Sequence, residues 1–481
     1  MSPDGPGGAG RPRVVVVGGG VSGLTAALRL AERGVRVEVR EAAAQPGGIL
    51  RRAEVGGLVL DTGAESFLAR RPEGVALARE VGLGDDVVHP RTTRARVLTP
   101  DGPRPLPGGT LMGVPGTGEA VRGVLGPAEV RRVEQEEELP APAVSEDLSV
   151  AEYVAARVGP AVVDRLVEPL LGGVYAGHAA RLSLQATVPA LWTHARAGGS
   201  LLAAVRAAAG RTAPGATPAP VFGGIRGGVA RLAEALAGAL AARDVEVRTA
   251  TPVRSLRRVE GGWVVDGDRV DGVLLAVPAP VAARLLTGAV PSAAQALAEV
   301  ETASVVVVAF TVPAADLRGW EDASGLLVPP ALGRAAGRRV KAVTLSSHKW
   351  GWVGEQAPDR RVLRVSLGRA GETDVPGWDD DRLRERALQD ARALLGARLD
   401  PDDALVQRWP DALPQYAVGH LDRVQRVRAA AGAAGRIALA GSFADGVGVP
   451  ACVATAARAV EELLPQLLRP DAPLDGREHL R

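Results

Sequence analysis

A chain of 481 residues exceeds one ordinary domain, and a hydrophobic content of 46% is ample for large cores, which excludes bulk disorder. With 57 basic against 55 acidic residues the net charge is only +2, so there is no global nucleic-acid footprint, and because every basic residue except Lys341 and Lys349 is arginine, a given arginine says little about function. The single cysteine, Cys452, excludes an internal disulfide and a cysteine-based metal cage.

The leader "MSPDGPGGAGRP" is Gly/Pro-rich and lacks the apolar core of a signal peptide. No apolar run reaches the roughly 18 to 20 residues that cross a bilayer. A soluble, cytoplasmic protein is the expectation, without nucleic-acid partner, integral membrane span or metal.

Residues 13–41 then read as strand, tight turn, helix, strand. Val14 to Val17 form a continuous apolar run, as in a parallel strand buried on both faces. Ala26, Ala27, Leu30 and Ala31 recur at helical spacing, and Val35, Val37 and Val39 alternate into a second strand. From about 70 to 215 the pattern is mostly helical. It includes "RPEGVALAREVGLG" and a pair of helices broken at Gly159-Pro160. The acidic run "EQEEELP" reads as a surface loop and "TAPGATPAP", near 212–220, as a linker. Around 222 a glycine turn feeds a helix, and short strands follow, one of them carrying Val253. From 302 to 370 the β-rich runs suggest an antiparallel sheet. The end, "GRIALAGSFADGVGVPACVATAARAVEELL", is again strand, glycine loop and helix.

Gly18-x-Gly20-x-x-Gly23 lies between a predicted strand and helix. The first glycine permits the turn, the second lets a pyrophosphate approach the backbone, and the third lets helix and strand pack closely. The intervening Gly19, Val21 and Ser22 offer N–H groups at the positive end of the helix dipole. Glu41, followed by Ala42, ends the second strand, where a carboxylate can accept hydrogen bonds from ribose hydroxyls. The pattern predicts dinucleotide binding. No Ser-His-Asp spacing, zinc motif or carboxylate pair asks for hydrolysis, in keeping with a cofactor that carries the chemistry.

Gly47-Gly48-Ile49, followed by "LDTGAESF", resembles the extended fingerprint of FAD proteins of the glutathione-reductase type. The first 70 residues resemble the flavin amine oxidase and protoporphyrinogen oxidase superfamily. Six further segments narrow the likeness: "EPLLGGVYAGHAARLSLQAT", "FGGIRGGVARLAEAL", "LLAVPAP", "KAVTLSSHKW", "RWPDALPQYAVGHLDRV" and "LAGSFADGVGVPACVATAARAV". In order and over nearly the whole chain, these resemble the haem-biosynthetic oxidases, protoporphyrinogen oxidase and its bacterial relative coproporphyrinogen III oxidase.

The resemblance implies an α/β fold with a discontinuous Rossmann-like FAD domain (10–87, 215–288, 425–466), a helical insertion (88–214) and an antiparallel-sheet substrate domain (289–424). It implies non-covalent FAD, contacted also by Gly63, Ala64, Glu65 and Ser66 along the ribityl chain, Val253 at the adenine, Trp409 near the flavin, and Gly446, Gly448, Val449 and Pro450 at its N1–C2=O edge. Relatives often carry a basic residue where Ile49 stands here; Arg51 or Arg52 is the alternative. Arg71 falls where relatives place a basic residue in the substrate cavity, although Arg70 is a rival and a surface role competes. Tyr175 and His178 lie in a cavity segment, and core packing accounts equally well for Tyr175. Buried packing is the reading for Cys452.

The implied reaction converts a porphyrinogen bearing propionates to a porphyrin. Six electrons leave in three hydride transfers to flavin N5, with O2 as acceptor, and no general base stands out. Transient contact with other haem-pathway enzymes is a further expectation. Coproporphyrinogen III is preferred over protoporphyrinogen IX. An amine oxidase or carotenoid desaturase is the rival enzyme, and a scaffold protein without FAD, like the GDP-dissociation inhibitors, the rival from another class.

Overall fold

The computed structural model describes residues 11–209 and 220–467; nearly all of the leader and of the expected linker lie outside them. Two sheets organise the chain. The valines of the strand Arg13–Val17 are at most 3% exposed, as a strand covered on both faces requires. This strand is the centre of a five-stranded, all-parallel sheet. The order is Glu246–Arg248, Arg36–Arg40, Arg13–Val17, Gly272–Leu275, Ile437–Leu439. Val14 and Val16 pack with the helices Val21–Glu32, Arg231–Ala241 and Val449–Leu467. Val15 and Val17 pack with Ala279–Leu286, Pro291–Ala298 and His420–Ala434 on the other face. One α/β layer is thus assembled from three distant pieces of chain.

The second sheet has seven strands, in the order Asp403–Pro414, Thr302–Pro313, Arg360–Leu367, Val340–Thr344, Gly325–Leu327, Ala95–Thr99, Gly102–Pro105. All neighbours are antiparallel except Gly325–Leu327 with Ala95–Thr99. The last two strands come from the stretch read as mostly helical. Pro100, Pro103 and Pro105 weaken the strand pattern there; Pro103 and Pro105 are tolerated because Gly102–Pro105 is the edge strand, and Pro100 falls just past Ala95–Thr99. One face of the sheet packs Val306, Val308, Phe310, Leu363 and Val365 with the helix Asp380–Leu395. The other carries the half-buried Ala342, Thr344, Ser366, Gln407 and Trp409.

Gly159 does break two helices, with φ +92° and Pro160 opening the next turn. The acidic run departs from its reading as a surface loop. Gln135–Glu138 forms a 3-10 turn in which Glu136 is fully buried while Glu134, Glu137 and Glu138 stay exposed. The Glu136 carboxylate accepts from Ser200 Oγ (2.7 Å) and from the N–H groups of Leu201 (2.7 Å) and Leu202 (3.3 Å), and it pairs with Arg157. Composition describes the run; only tertiary packing selects the one acid that turns inward.

Candidate active site

Gly18 adopts φ +103°, and a Cβ there would fall 2.4 Å from the Ala276 carbonyl oxygen. A Cβ at Gly23 would fall 1.9 Å from the Gly18 carbonyl oxygen, so the first helix can close on its strand only with glycine. Gly47 N–H donates to Gly19 O (2.7 Å), and a Cβ at Gly48 would meet Gly20 Cα at 3.3 Å. The two glycine stretches therefore form one continuous backbone ledge at the start of the first helix, where the leading N–H groups lack acceptors within the helix. Glu41 follows the strand Arg36–Arg40 and borders the ledge: its carboxylate accepts from Gly19 N–H (2.6 Å) and Ala43 N–H (2.7 Å). Ala42 lies between these anchors. Arg51 wraps the second glycine pair, donating to Gly48 O (3.2 Å) and Gln45 O (2.7 Å), whereas Arg52 pairs with Glu234.

Val253 departs from expectation. It sits in the unpaired stretch 251–255, outside any strand, because Pro252 removes a ladder donor. The stretch still joins the ledge, since Thr251 N–H donates to Glu41 O and Ala250 N–H to Ala43 O, both at 2.8 Å.

The segment Gly63–Ser66 is tied behind the second glycine pair. Ala64 N–H donates to Ile49 O (3.2 Å), and a Cβ at Gly63 would fall 1.8 Å from that same oxygen. Trp409 Nε1 donates to Thr62 O (3.2 Å) and Arg364 to Gly63 O (2.7 Å). Ser66 is half-buried. The Glu65 carboxylate is engaged by protein: Lys349, Arg364 (2.8 Å) and Ser346 Oγ (3.2 Å) all reach it. Burial pushes this carboxyl up, but the two cations outweigh burial and hold it at about 2. Its charge is spent on groups of the protein itself.

The C-terminal helix Val449–Leu467 starts one residue before Pro450. Ser22 Oγ, in the first turn of the first helix, donates to Cys452 O (3.2 Å) in the first turn of the last. The two glycine-bearing helix starts, more than 400 residues apart, are thus adjacent. Burial pushes the Cys452 thiol up to about 11, so no thiolate forms at this helix start. Ahead of Gly448 and Val449, Gly446 (φ +145°) leaves no room for a Cβ, which would fall 2.7 Å from Ala451 Cβ.

Sequence reading missed what braces this loop. Tyr416 Oη accepts from Gly446 N–H (2.8 Å) and donates to Ser442 O. The Tyr416 ring stacks on fully buried His420, with centroids 3.9 Å apart and planes 14° apart. His420 Nε2 lies 3.2 Å from Ala444 O.

Of the residues read as substrate-facing, Tyr175 is buried, its ring 5.6 Å from that of Tyr416, and burial pushes its phenol up to about 12. Arg71 immediately precedes the helix Pro72–Glu80, pairs with Glu73 (2.6 Å) and is half exposed. That helix meets the C-terminal one, since a Cβ at Gly74 would lie 3.2 Å from Pro450 Cγ. His178 instead pairs with Glu168 (2.7 Å), whose other oxygen accepts from Ala179 N–H (2.6 Å).

A family profile described as "Flavin containing amine oxidoreductase" matches residues 21–464. A coproporphyrinogen III oxidase from Mycobacterium leprae (strain TN) is 40% identical over 94% of this chain and 98% of its own length. The one from Propionibacterium freudenreichii subsp. freudenreichii is 32% identical over 96% of this chain and 92% of its own. A crystal structure of a provisionally named protoporphyrinogen oxidase from Exiguobacterium sp. 255-15 superimposes with TM-score 0.82 at 32% identity, covering 95% of this chain and all of its own. No helix among the described residues is long and apolar enough to cross a membrane. The chain belongs to the flavin containing amine oxidoreductase family.

Proposed function

We propose that this protein oxidises coproporphyrinogen III to coproporphyrin III in haem biosynthesis, as an FAD-dependent oxidoreductase with O2 as acceptor. The observation that carries this reading is the end-to-end match to coproporphyrinogen III oxidases. The residues fit the cofactor. Glycines 18, 20, 23, 47 and 48 leave a cradle that side chains would fill. Glu41 lies where a ribose would need an acceptor, and the start of the C-terminal helix abuts that of the first.

In this reading Gly18 to Gly23 and Gly47-Gly48 hold the pyrophosphate, and Glu41 and Ala42 border the ribose. Gly63 to Ser66 border the ribityl chain, Val253 the adenine and Trp409 the flavin, while Gly446 to Pro450 border the ring, toward which Gly448 and Val449 would present their N–H groups. Bound flavin supplies the acceptor for hydride. The positive end of the helix Val449–Leu467 favours the negative charge that reduction brings. Arg71, Tyr175 and His178 face the substrate, the ring of His178 oriented by its hydrogen bond with Glu168.

The nucleotide-binding part, of glutathione-reductase type, comprises 10–87, 215–288 and 425–466. Substrate enters between 88–214 and 289–424, with the two strands at 95–105 belonging to the second sheet. We place the protein in the cytoplasm, in transient contact with other haem-pathway enzymes.

The Exiguobacterium likeness keeps protoporphyrinogen IX as a second reading. Purified protein is expected to be yellow and, in air, to produce fluorescent porphyrin faster from coproporphyrinogen III than from protoporphyrinogen IX. The reverse preference selects the second reading. Colourless protein that refuses FAD sinks both.

A further inference from the structure

Lys341 is one of two lysines in a chain that otherwise uses arginine. It lies in the strand Val340–Thr344 at 7% exposure, and no hydrogen bond or ion pair to its ammonium is found among the described residues. Arg369, two residues past the strand Arg360–Leu367, is 5% exposed. Its Nη2 donates to Val328 O (3.1 Å), but its Nη1 is buried without a partner. Val328 N–H in turn donates to Lys341 O (3.0 Å), so one residue links the two cations.

Across from them runs the helix Glu168–Tyr175. A Cβ at Gly172 would fall 2.3 Å from Arg369 Nη1, so the glycine makes room for the guanidinium. The next residue, Ala370, donates its N–H to Ala176 O (2.7 Å) and packs in a small cluster with Ala176 and Trp409. The cations therefore sit at the seam between the seven-stranded sheet and the segment that carries Tyr175, one residue from the cluster that includes Trp409.

The acids nearby do not satisfy this pair. Glu168 is committed to His178 and Ala179. Glu372 acts on both cations only through space, and its Oε2 is itself buried without a hydrogen-bond partner; Arg334 adds another positive charge near Arg369. A buried cation without a paired anion is destabilising. Burial, with Arg369 alongside, pushes the Lys341 ammonium down to about 7. An entering carboxylate would relieve that cost and accept the donors that lack partners.

We propose that Lys341 and Arg369 form a carboxylate subsite that takes one propionate of the porphyrinogen. The proposal rests on the porphyrinogen reading and deepens it. Lys341→Met in the FAD-loaded protein is the test, with Arg369→Lys as the second variant. Lys341→Met is expected to raise KM for coproporphyrinogen III and Kd for coproporphyrin III about tenfold, the size of one charge-assisted hydrogen bond. Its kcat, flavin content and Tm should hold, Tm even rising because a lone buried charge is gone. Arg369→Lys is expected to raise KM in the same direction. Folded, flavin-loaded variants with wild-type KM and Kd would overturn the subsite. If the wild-type protein itself neither binds nor oxidises porphyrinogens, the underlying reading fails first, and that result is seen before any variant is made.

Discussion

Gly23 shows how tightly single positions constrain this molecule. The Cβ of Gly23→Ala would sit 1.9 Å from the Gly18 carbonyl oxygen, and backbone is a contact that cannot swing aside. The variant is expected to lose roughly 1–3 kcal/mol of stability, the usual result of overpacking, together with its flavin, because the first helix must lift off the strand. Denaturant unfolding and flavin absorbance after gel filtration check it; a variant that keeps both would mean the cradle is not built this way. This constraint was legible in the sequence because it is local: a valine run, three glycines at set spacing and an acid at the end of the next strand. The cationic pair was not legible in this way. Only two lysines occur in a chain rich in arginine, and both turn inward, Lys349 onto Glu65 and Lys341 onto no partner among the described residues. Their count assigns them no role, and spacing cannot say that a strand will bury one beside Arg369.

The helix His420–Ala434 adds a pH-dependent element, because its first residue lies stacked under Tyr416 and against the loop before the C-terminal helix. Burial lowers the His420 imidazole from 6.5 to about 4, so the folded protein holds it neutral. As pH falls, the unfolded chain takes up the proton first. The stability is therefore whole above about 6.5 and is lost as pH falls toward 4, by roughly 3 kcal/mol for this group. His420→Phe keeps a stacking ring and cannot titrate. It is expected to be somewhat less stable near neutrality, through loss of the bond to Ala444, and to show a flatter fall in Tm between pH 6.5 and 4. Parallel slopes for the two proteins would exclude His420 as the acid-sensitive group. Sequence did not reveal this brace. Tyr416 and Ser442 are 26 residues apart and meet only through tertiary packing, while the aromatic singled out in that stretch was Trp409. Val253 and Glu136 escaped for related reasons, a proline that ended strand pairing early and an acid drawn inward by two helix N–H groups.

At the scale of the molecule, the parallel sheet and the seven-stranded sheet must hold their relative position if a ligand is to lie between them. Polar links make that join: Trp409 Nε1 to Thr62 O, Thr311 Oγ1 to Val55 O (2.9 Å), Gly56 N–H to Asp403 (2.7 Å), and the buried cluster of Glu65 with Lys349 and Arg364. Glu65 is the charged centre of the join, since it stands on the glycine-ledge side and both cations come from the far sheet and its loop. Replacing it with glutamine leaves two cations buried without an anion, a change that typically costs about 3–5 kcal/mol. Glu65→Gln is therefore expected to be destabilised by that order near neutral pH and to bind flavin more weakly, since Gly63 to Ser66 lose their anchor. The pH dependence has a definite sign. Because the cations hold the folded carboxyl at about 2, below its ordinary 4.5, Glu65 contributes fully above 4.5 and progressively less as pH falls toward 2. The stability difference between wild type and Glu65→Gln should thus be constant around neutrality and shrink below pH 4.5. Urea unfolding at a series of pH values measures it directly. A gap that stays unchanged down to the acid limit would mean that the carboxylate charge is not what joins the two sheets, and the clasp would have to be sought in Trp409 and the backbone links instead.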